Sequence, residues 1–297
     1  MAKEQRSLTG KVVAITGGAR GIGEATARAL VREGAKVAIG DLDAELAGRT
    51  AAALGGETIA LELDVTRRDS FASYLSQVEE RLGPVDVLIN NAGIMPVGPF
   101  VEEDDATAQR MIDINLHGVI YGMKLVLPSM QRRNDGHIVN VASQAGKGGF
   151  PGGATYCATK HAVVGLSEAV RAELDDTAIE ISCVMPAVVN TELGSGLVET
   201  RGVKKIEPDE VADAIVAALQ RPTFDVWIPK LSAGIYRVMT ILPRGGREWI
   251  AKALKADQVL AGADSSARQA YEERAARSEP GLEPKEAEGA ETEKVES

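Results

Sequence analysis

The stretch "KVVAITGGARGIGEATARALVREGAKVAIGD", residues 11–41, decides the fold. Its first six residues, "KVVAIT", hold the run Val12–Ile15, apolar without alternation, the mark of a strand covered on both faces. Residues 21–35 follow at the spacing of an amphipathic helix, and "KVAIG" (36–40) is a second buried strand. A strand, a glycine turn, a helix and another strand make one unit of a parallel sheet.

The same alternation continues outward. Helices are expected over 44–54, 68–83, 104–131, 155–175 and 208–220, the last led by Pro208. Strands are expected at 58–63, 85–90, 137–142, 179–185 and 224–229. Seven near-continuously apolar strands separated by helices predict an α/β chain: a Rossmann-type, doubly wound parallel sheet in three layers, forming a single domain. Residues 1–230 form this domain. Residues 231–262 read as a C-terminal extension of one or two amphipathic helices joined at 243–246. Residues 263–297 read as a polar, disordered acidic tail. Its last part, "SEPGLEPKEAEGAETEKVES" (278–297), has too few apolar anchors to offset its ordering entropy and reads as disordered.

Bulk properties narrow the function classes. The chain has 297 residues, 44% of them hydrophobic but only 4% aromatic, so Ala, Val, Leu and Ile build the core. A net charge of -10 argues against nucleic-acid binding, which requires a basic face. Two cysteines, Cys157 and Cys183, make no disulfide framework and indicate a reducing, cytoplasmic setting. Three histidines without ligand spacing argue against a metal site. The N-terminus has no apolar signal core. No uncharged apolar run reaches spanning length; the nearest, residues 226–242, is interrupted by Pro229, Lys230 and Arg237.

The turn "TGGARGIG" (16–23) places Gly17, Gly21 and Gly23 between strand and helix. That arrangement lets a dinucleotide pyrophosphate approach backbone N–H groups at the positive end of the helix. Gly17, Arg20, Gly21, Ile22 and Gly23 are therefore candidate cofactor contacts, as are Asp41 and Leu42 at the end of the second strand. A carboxylate at Asp41 accepts hydrogen bonds from ribose hydroxyls and repels a 2′-phosphate, which favours NAD. Arg20 is the counter-argument, a cation beside the same pocket, and keeps NADP as the alternative. Asp43 can fill the helix-capping role that Asp41 otherwise suggests.

Further on, "TYCATKHAV" (155–163) sets Tyr156 one helical turn ahead of Lys160. Alone, such a pair is an ordinary surface neighbour. With a cofactor nearby it acquires a task. A phenol with a pKa near ~10 serves as a base only when a fixed positive charge favours its anion. Ser143 offers a hydroxyl to hold a substrate oxygen. Asn115, expected inside a helix, is either a satisfied core amide or part of this group.

In "TGGARGIG", "NNAG" (90–93), "IN" (114–115), Ser143 within "NVASQAG", "YCATK" (156–160) and "PAVVNT" (186–191), the chain resembles the short-chain dehydrogenase/reductase family. The resemblance covers about residues 8–229. It implies that Tyr156 is the catalytic acid/base, that Lys160 binds the nicotinamide ribose and that Ser143 holds the substrate oxygen. It implies that Asn115 anchors a water path behind the lysine. Asp64 and Val65 match residues around the adenine. Asn91, Ala92 and Gly93 match the turn lining the cofactor, and Pro186, Val189 and Thr191 the contacts after the sixth strand. One departure is visible: Ala187 stands where the family usually has glycine. The family's habit also implies a homo-oligomer.

The substrate pocket is expected between residues 144–154 and 190–206. Lys204 and Lys205 in the second wall read as solvated. Without a cationic clamp, the pocket points to a lipophilic secondary alcohol or ketone. The extension beyond Pro229 resembles arms of relatives acting on bulky apolar substrates. It packs on the body or a partner subunit, or else forms a lid or a weak peripheral membrane contact. The rival readings are an NADP-dependent carbonyl reductase of the same fold and a non-catalytic dinucleotide sensor or scaffold.

Overall fold

The computed structural model describes residues 5–198, 205–253 and 258–277. Seven strands form one parallel sheet: β1 (Val12–Thr16), β2 (Lys36–Asp41), β3 (Thr58–Glu62), β4 (Val87–Asn90), β5 (Gly136–Val141), β6 (Ile179–Pro186) and β7 (Asp225–Ile228), in the order β3-β2-β1-β4-β5-β6-β7. The order reverses at β1, so the crevice between the ends of β1 and β4 is the topological switch point where such sheets receive ligands. β1, β4 and β5 are buried along their whole length, as their largely apolar runs require.

Helices α1 (Gly21–Arg32), α2 (Ala44–Leu54) and α7 (Pro208–Gln220) cover one face. Helices α3 (Arg68–Leu82), α4 (Asp105–Ile112), α5 (Gly118–Arg133) and α6 (Ala154–Glu173) cover the other. Starts are set locally. Asp43 accepts from the Leu46 N–H at 3.0 Å, and Asp104 from the Thr107 N–H at 2.8 Å. Pro208 begins α7, where its missing N–H costs no helical bond.

The structure departs from the sequence reading in three places. The expected helix over 104–131 is interrupted: residues Asp113–His117 form a π turn between α4 and α5, and Asn115 sits in it. The extension forms α8 (Leu231–Ile241) and α9 (Arg244–Ala253), so residues 244–246 belong to α9 and only Leu242 and Pro243 join the two. The polar tail expected from residue 263 begins instead with a packed helix, α10 (Ser265–Arg277). Its Arg268, Tyr271 and Ala275, spaced three and four apart, are buried. Residues 278–297, read as disordered, lie outside the described residues, as does Lys204.

Ala187 raises no strain. Asn134 is the one non-glycine described residue with positive φ, and the Ala187 N–H donates to the Ile228 carbonyl at 2.9 Å.

His137 on β5 is buried, its Nε2 2.9 Å from Ser182 Oγ on β6. Ser182 Oγ donates its only proton to the Thr223 carbonyl, so Nε2 is the donor to Ser182. Burial pushes the imidazole pKa down to about 3. Between about pH 6.5 and 3 the unfolded chain therefore binds a proton that the folded one refuses, and stability falls as pH falls. The loss from this group is at most about 1.4 kcal/mol per pH unit. In urea titrations between about pH 6.5 and 5, His137→Gln should show a shallower pH slope than wild type; equal slopes would remove His137 as the cause.

Candidate active site

The turns after β1 and β4 are stitched together. Thr16 Oγ1 accepts from the N–H groups of Asn91 and Ala92, both at 3.0 Å. Asn91 Nδ2 donates to the Thr16 carbonyl at 3.0 Å and the Gly17 carbonyl at 2.8 Å. This closeness needs glycine. A Cβ on Gly17 would lie 2.8 Å from Ala92 Cα, and one on Gly23 would lie 2.2 Å from the Gly17 carbonyl oxygen. Gly17 and Gly21 also have φ of 63° and 58°. No side chain caps the start of α1, so its first-turn N–H groups face the space in front of the turn.

Asp41 stands at the end of β2. Its Oδ2 accepts from the Ala19 N–H at 3.0 Å and its Oδ1 from the Asp43 N–H at 3.1 Å. Arg20 is held by Asp43 at 2.9 Å and by Glu192 at 3.5 Å. Asp64, after β3, is pinned by Thr66, whose hydroxyl donates to Oδ1 at 2.7 Å.

These groups border a cavity of about 1110 Å³. Every residue singled out in the sequence lines it except Gly23 and Asn115. Gly23 lies beneath the turn. Asn115 is fully buried, in contact with the cavity wall rather than the cavity. Its Oδ1 accepts from the Ile94 N–H at 2.8 Å, and its Nδ2 donates to the Ile94 carbonyl at 2.9 Å and to Thr159 Oγ1 at 3.2 Å. The amide is satisfied, as a core amide would be, and it holds the backbone of Ile94 beside Gly93. A Cβ on Gly93 would lie 3.2 Å from Asn115 Oδ1 and 3.6 Å from Lys160 Nζ.

Helix α6 carries Tyr156 and Lys160 on the cavity side, both buried. Lys160 Nζ donates to the Val141 carbonyl at 2.9 Å and lies 5.7 Å from the Tyr156 ring centre. Desolvation lowers the Lys160 pKa to about 8. Desolvation raises the Tyr156 pKa to about 12, opposed by a hydrogen bond with the Ser143 side chain. Ser143 follows β5, and its Oγ also accepts from the Ala145 N–H at 3.1 Å. Burial by itself thus keeps the phenol protonated, the opposite of what the neighbouring ammonium alone would do.

Beyond these residues the lining is mostly apolar, with Phe150, Leu197, Trp227, Met239, Val259 and Leu260, while Lys147, Arg247, Glu248, Lys252 and Arg274 border it too. Residues 144–154 and 190–206 do border it, as far as they are described, and Lys205 reaches it. Sequence reading missed the third wall, α10. Arg268 is 1% exposed and donates to the carbonyls of Leu193 (3.0 Å), Ser195 (2.9 Å) and Met95 (2.7 Å). Tyr271 lines the cavity, and its hydroxyl accepts from the Met95 N–H at 2.7 Å. The spacing of Arg268, Tyr271 and Ala275 was the available signal, hidden because an arginine in the stripe looks like a solvated residue.

The open α1 terminus, the glycine cradle and the anchored carboxylate at the end of β2 fit a nicotinamide dinucleotide. Comparison with known proteins agrees. The family model described as short chain dehydrogenase matches residues 11–202. A sorbitol dehydrogenase from Cereibacter sphaeroides is 40% identical over 191 residues, covering 64% of this chain and 75% of that protein. A ketoacyl reductase from Nostoc is 37% identical over 229 residues, covering 74% and 79%. The crystal structure of a short-chain dehydrogenase/reductase from Burkholderia phymatum in complex with NAD aligns with a TM-score of 0.73 at 27% identity, covering 79% of this chain and 94% of that one.

Arg268→Met should lower unfolding stability by about 2 kcal/mol or more, since the buried Met95 carbonyl and the half-buried Leu193 and Ser195 carbonyls lose a charged donor. Arg268→Lys should recover only part, lacking the planar fork. Denaturant midpoints within error of wild type for Arg268→Met would show that the carbonyls find other donors.

Proposed function

This chain belongs to the short-chain dehydrogenase/reductase family, and on that premise we propose that it interconverts a lipophilic secondary alcohol and its ketone with Tyr156 as acid/base. The observation that carries this reading is the meeting of Ser143, Tyr156 and Lys160 on one wall of the cavity whose other end is the glycine cradle. When bound, the dinucleotide supplies the hydride donor or acceptor. The chain supplies the proton and the alignment. Tyr156, held protonated by burial, donates its proton to a ketone oxygen. The Ser143 hydroxyl, hydrogen-bonded to Tyr156, marks where that oxygen rests. Lys160 carries a positive charge at neutral pH and stabilises the phenolate left behind. Asn115 acts through position, holding the backbone of Ile94 and with it the turn beside Lys160.

NAD is the proposed cofactor. The Asp41 carboxylate is anchored by two backbone N–H groups and repels a 2′-phosphate, while the charge of Arg20 is engaged by Asp43 and Glu192. The apolar walls support a lipophilic substrate, and the Nostoc relative, a ketoacyl reductase by name, supports chemistry at a ketone. No helix among the described residues is long and apolar enough to cross a membrane. Buried free Cys157 and Cys183 support a cytoplasmic setting, and exposed Phe100 and Val101 beside α4 support a homo-oligomer.

Tyr156→Phe should lower turnover about 10²- to 10⁴-fold on a panel of long-chain and polycyclic alcohols and ketones, while NADH binding by fluorescence persists. Activity within about tenfold of wild type would overturn the acid/base assignment. Ketone reduction should hold below about pH 8 and decline above it as Lys160 loses its proton; a rate that climbs through this range would contradict the role given to Lys160. Asp41→Ala should narrow the ratio of NADH to NADPH affinity, and an unchanged ratio would reassign cofactor choice to another residue.

A further inference from the structure

Helices α8 and α9 project a face that the described residues leave uncovered. The inner side of α8 is anchored: Ser232 is buried, and Tyr236 packs on Trp227 with ring centres 5.1 Å apart. The outer side is apolar. Leu231, Val238 and Ile241 lie on one stripe of the helix, with exposures of 72%, 58% and 85%, and Ile235, 39% exposed, stands at its edge towards the cavity. On α9, Trp249 is 71% exposed. Single exposed apolar residues need no explanation, but a contiguous stripe of this kind marks an interaction surface.

The charge of the same segment identifies what it meets. Residues 230–253 hold five basic side chains, Lys230, Arg237, Arg244, Arg247 and Lys252, against one acidic, Glu248, in a chain whose net charge is -10. We propose that the α8–α9 arm docks on an anionic lipid surface, with the apolar stripe entering the interface and the basic residues meeting lipid headgroups. A second copy of the chain fits less well, because a two-fold contact at this face would set Arg237 and its basic neighbours against their own copies. The arm also borders the cavity through Ile235, Tyr236, Met239 and Ile250, so docking would set the lipid surface beside the cavity mouth.

The test is flotation of the full chain with vesicles of phosphatidylcholine alone and of equimolar phosphatidylcholine and phosphatidylglycerol. Association with the anionic vesicles should exceed that with the neutral ones at least about tenfold and fall with added salt. Val238→Asp with Ile241→Asp, and separately Arg237→Glu, should each reduce it at least about tenfold with unchanged circular dichroism and thermal midpoint. None of these side chains lines the cavity, so the result is independent of the proposed chemistry. Absence of anionic association, or association indifferent to both variants, overturns the proposal. So does sedimentation in which Val238→Asp with Ile241→Asp splits an oligomer without altering flotation, which would assign the face to a second copy.

Discussion

The molecule depends on how closely two turns approach. The loops after β1 and β4 leave neighbouring strands at the point where the sheet order reverses, and a cavity can form there only if their backbones nearly touch. Gly17 allows that contact with Ala92, and Thr16 and Asn91 hold it with four hydrogen bonds. One methyl group at residue 17 would push against main chain, which cannot rotate away as a side chain can. The position of α1, the aim of its free N–H groups and the distance from Asp41 to the cavity all follow from this contact.

At the other end of the cavity, the opposing effects of burial on Tyr156 and Lys160 define the chemistry. Desolvation penalises the charged form of each, raising the phenol and lowering the amine, so the pair's ordinary pKa order, nearly level in water, becomes widely split. Under the proposed chemistry, a phenol held protonated beside a cation is set to give a proton; to take one it needs further positive potential. The Val141 carbonyl is the only hydrogen-bond acceptor recorded for the Lys160 amine among the described residues, which leaves other donor positions for the ribose hydroxyls that the family resemblance assigns to it.

How much of this could be read in advance varied with the kind of signal. Strands such as β1 are buried on both faces, so their sequences are almost continuously apolar and their existence followed from that pattern; β5 buries His137 and Asn140 as well, each with a hydrogen-bond partner. The glycine turn, Ser143, Tyr156 and Lys160 could be grouped in advance from residue type and spacing, and the structure brings them to one cavity. The π turn at Asp113–His117 was not, since "DINLH" contains no residue that refuses an ordinary helix; the extra residue is imposed by packing around Asn115. Helix α10 was missed for the converse reason. Its buried stripe is led by an arginine whose partners, the carbonyls of residues 95, 193 and 195, lie more than seventy positions away in sequence.

That helix has a consequence for the order in which the protein becomes itself. The sheet, the glycine cradle and the Tyr156–Lys160 pair all lie within the first 230 residues, and these can pack as soon as β7 has joined the sheet. Arg268 and Tyr271 come later in synthesis, yet they fix the loops at Met95 and Leu193–Ser195 from behind. A nascent chain therefore holds Tyr156 and Lys160 before it holds the wall that shapes their pocket. Among the described residues, that wall is the last part of the cavity to be made.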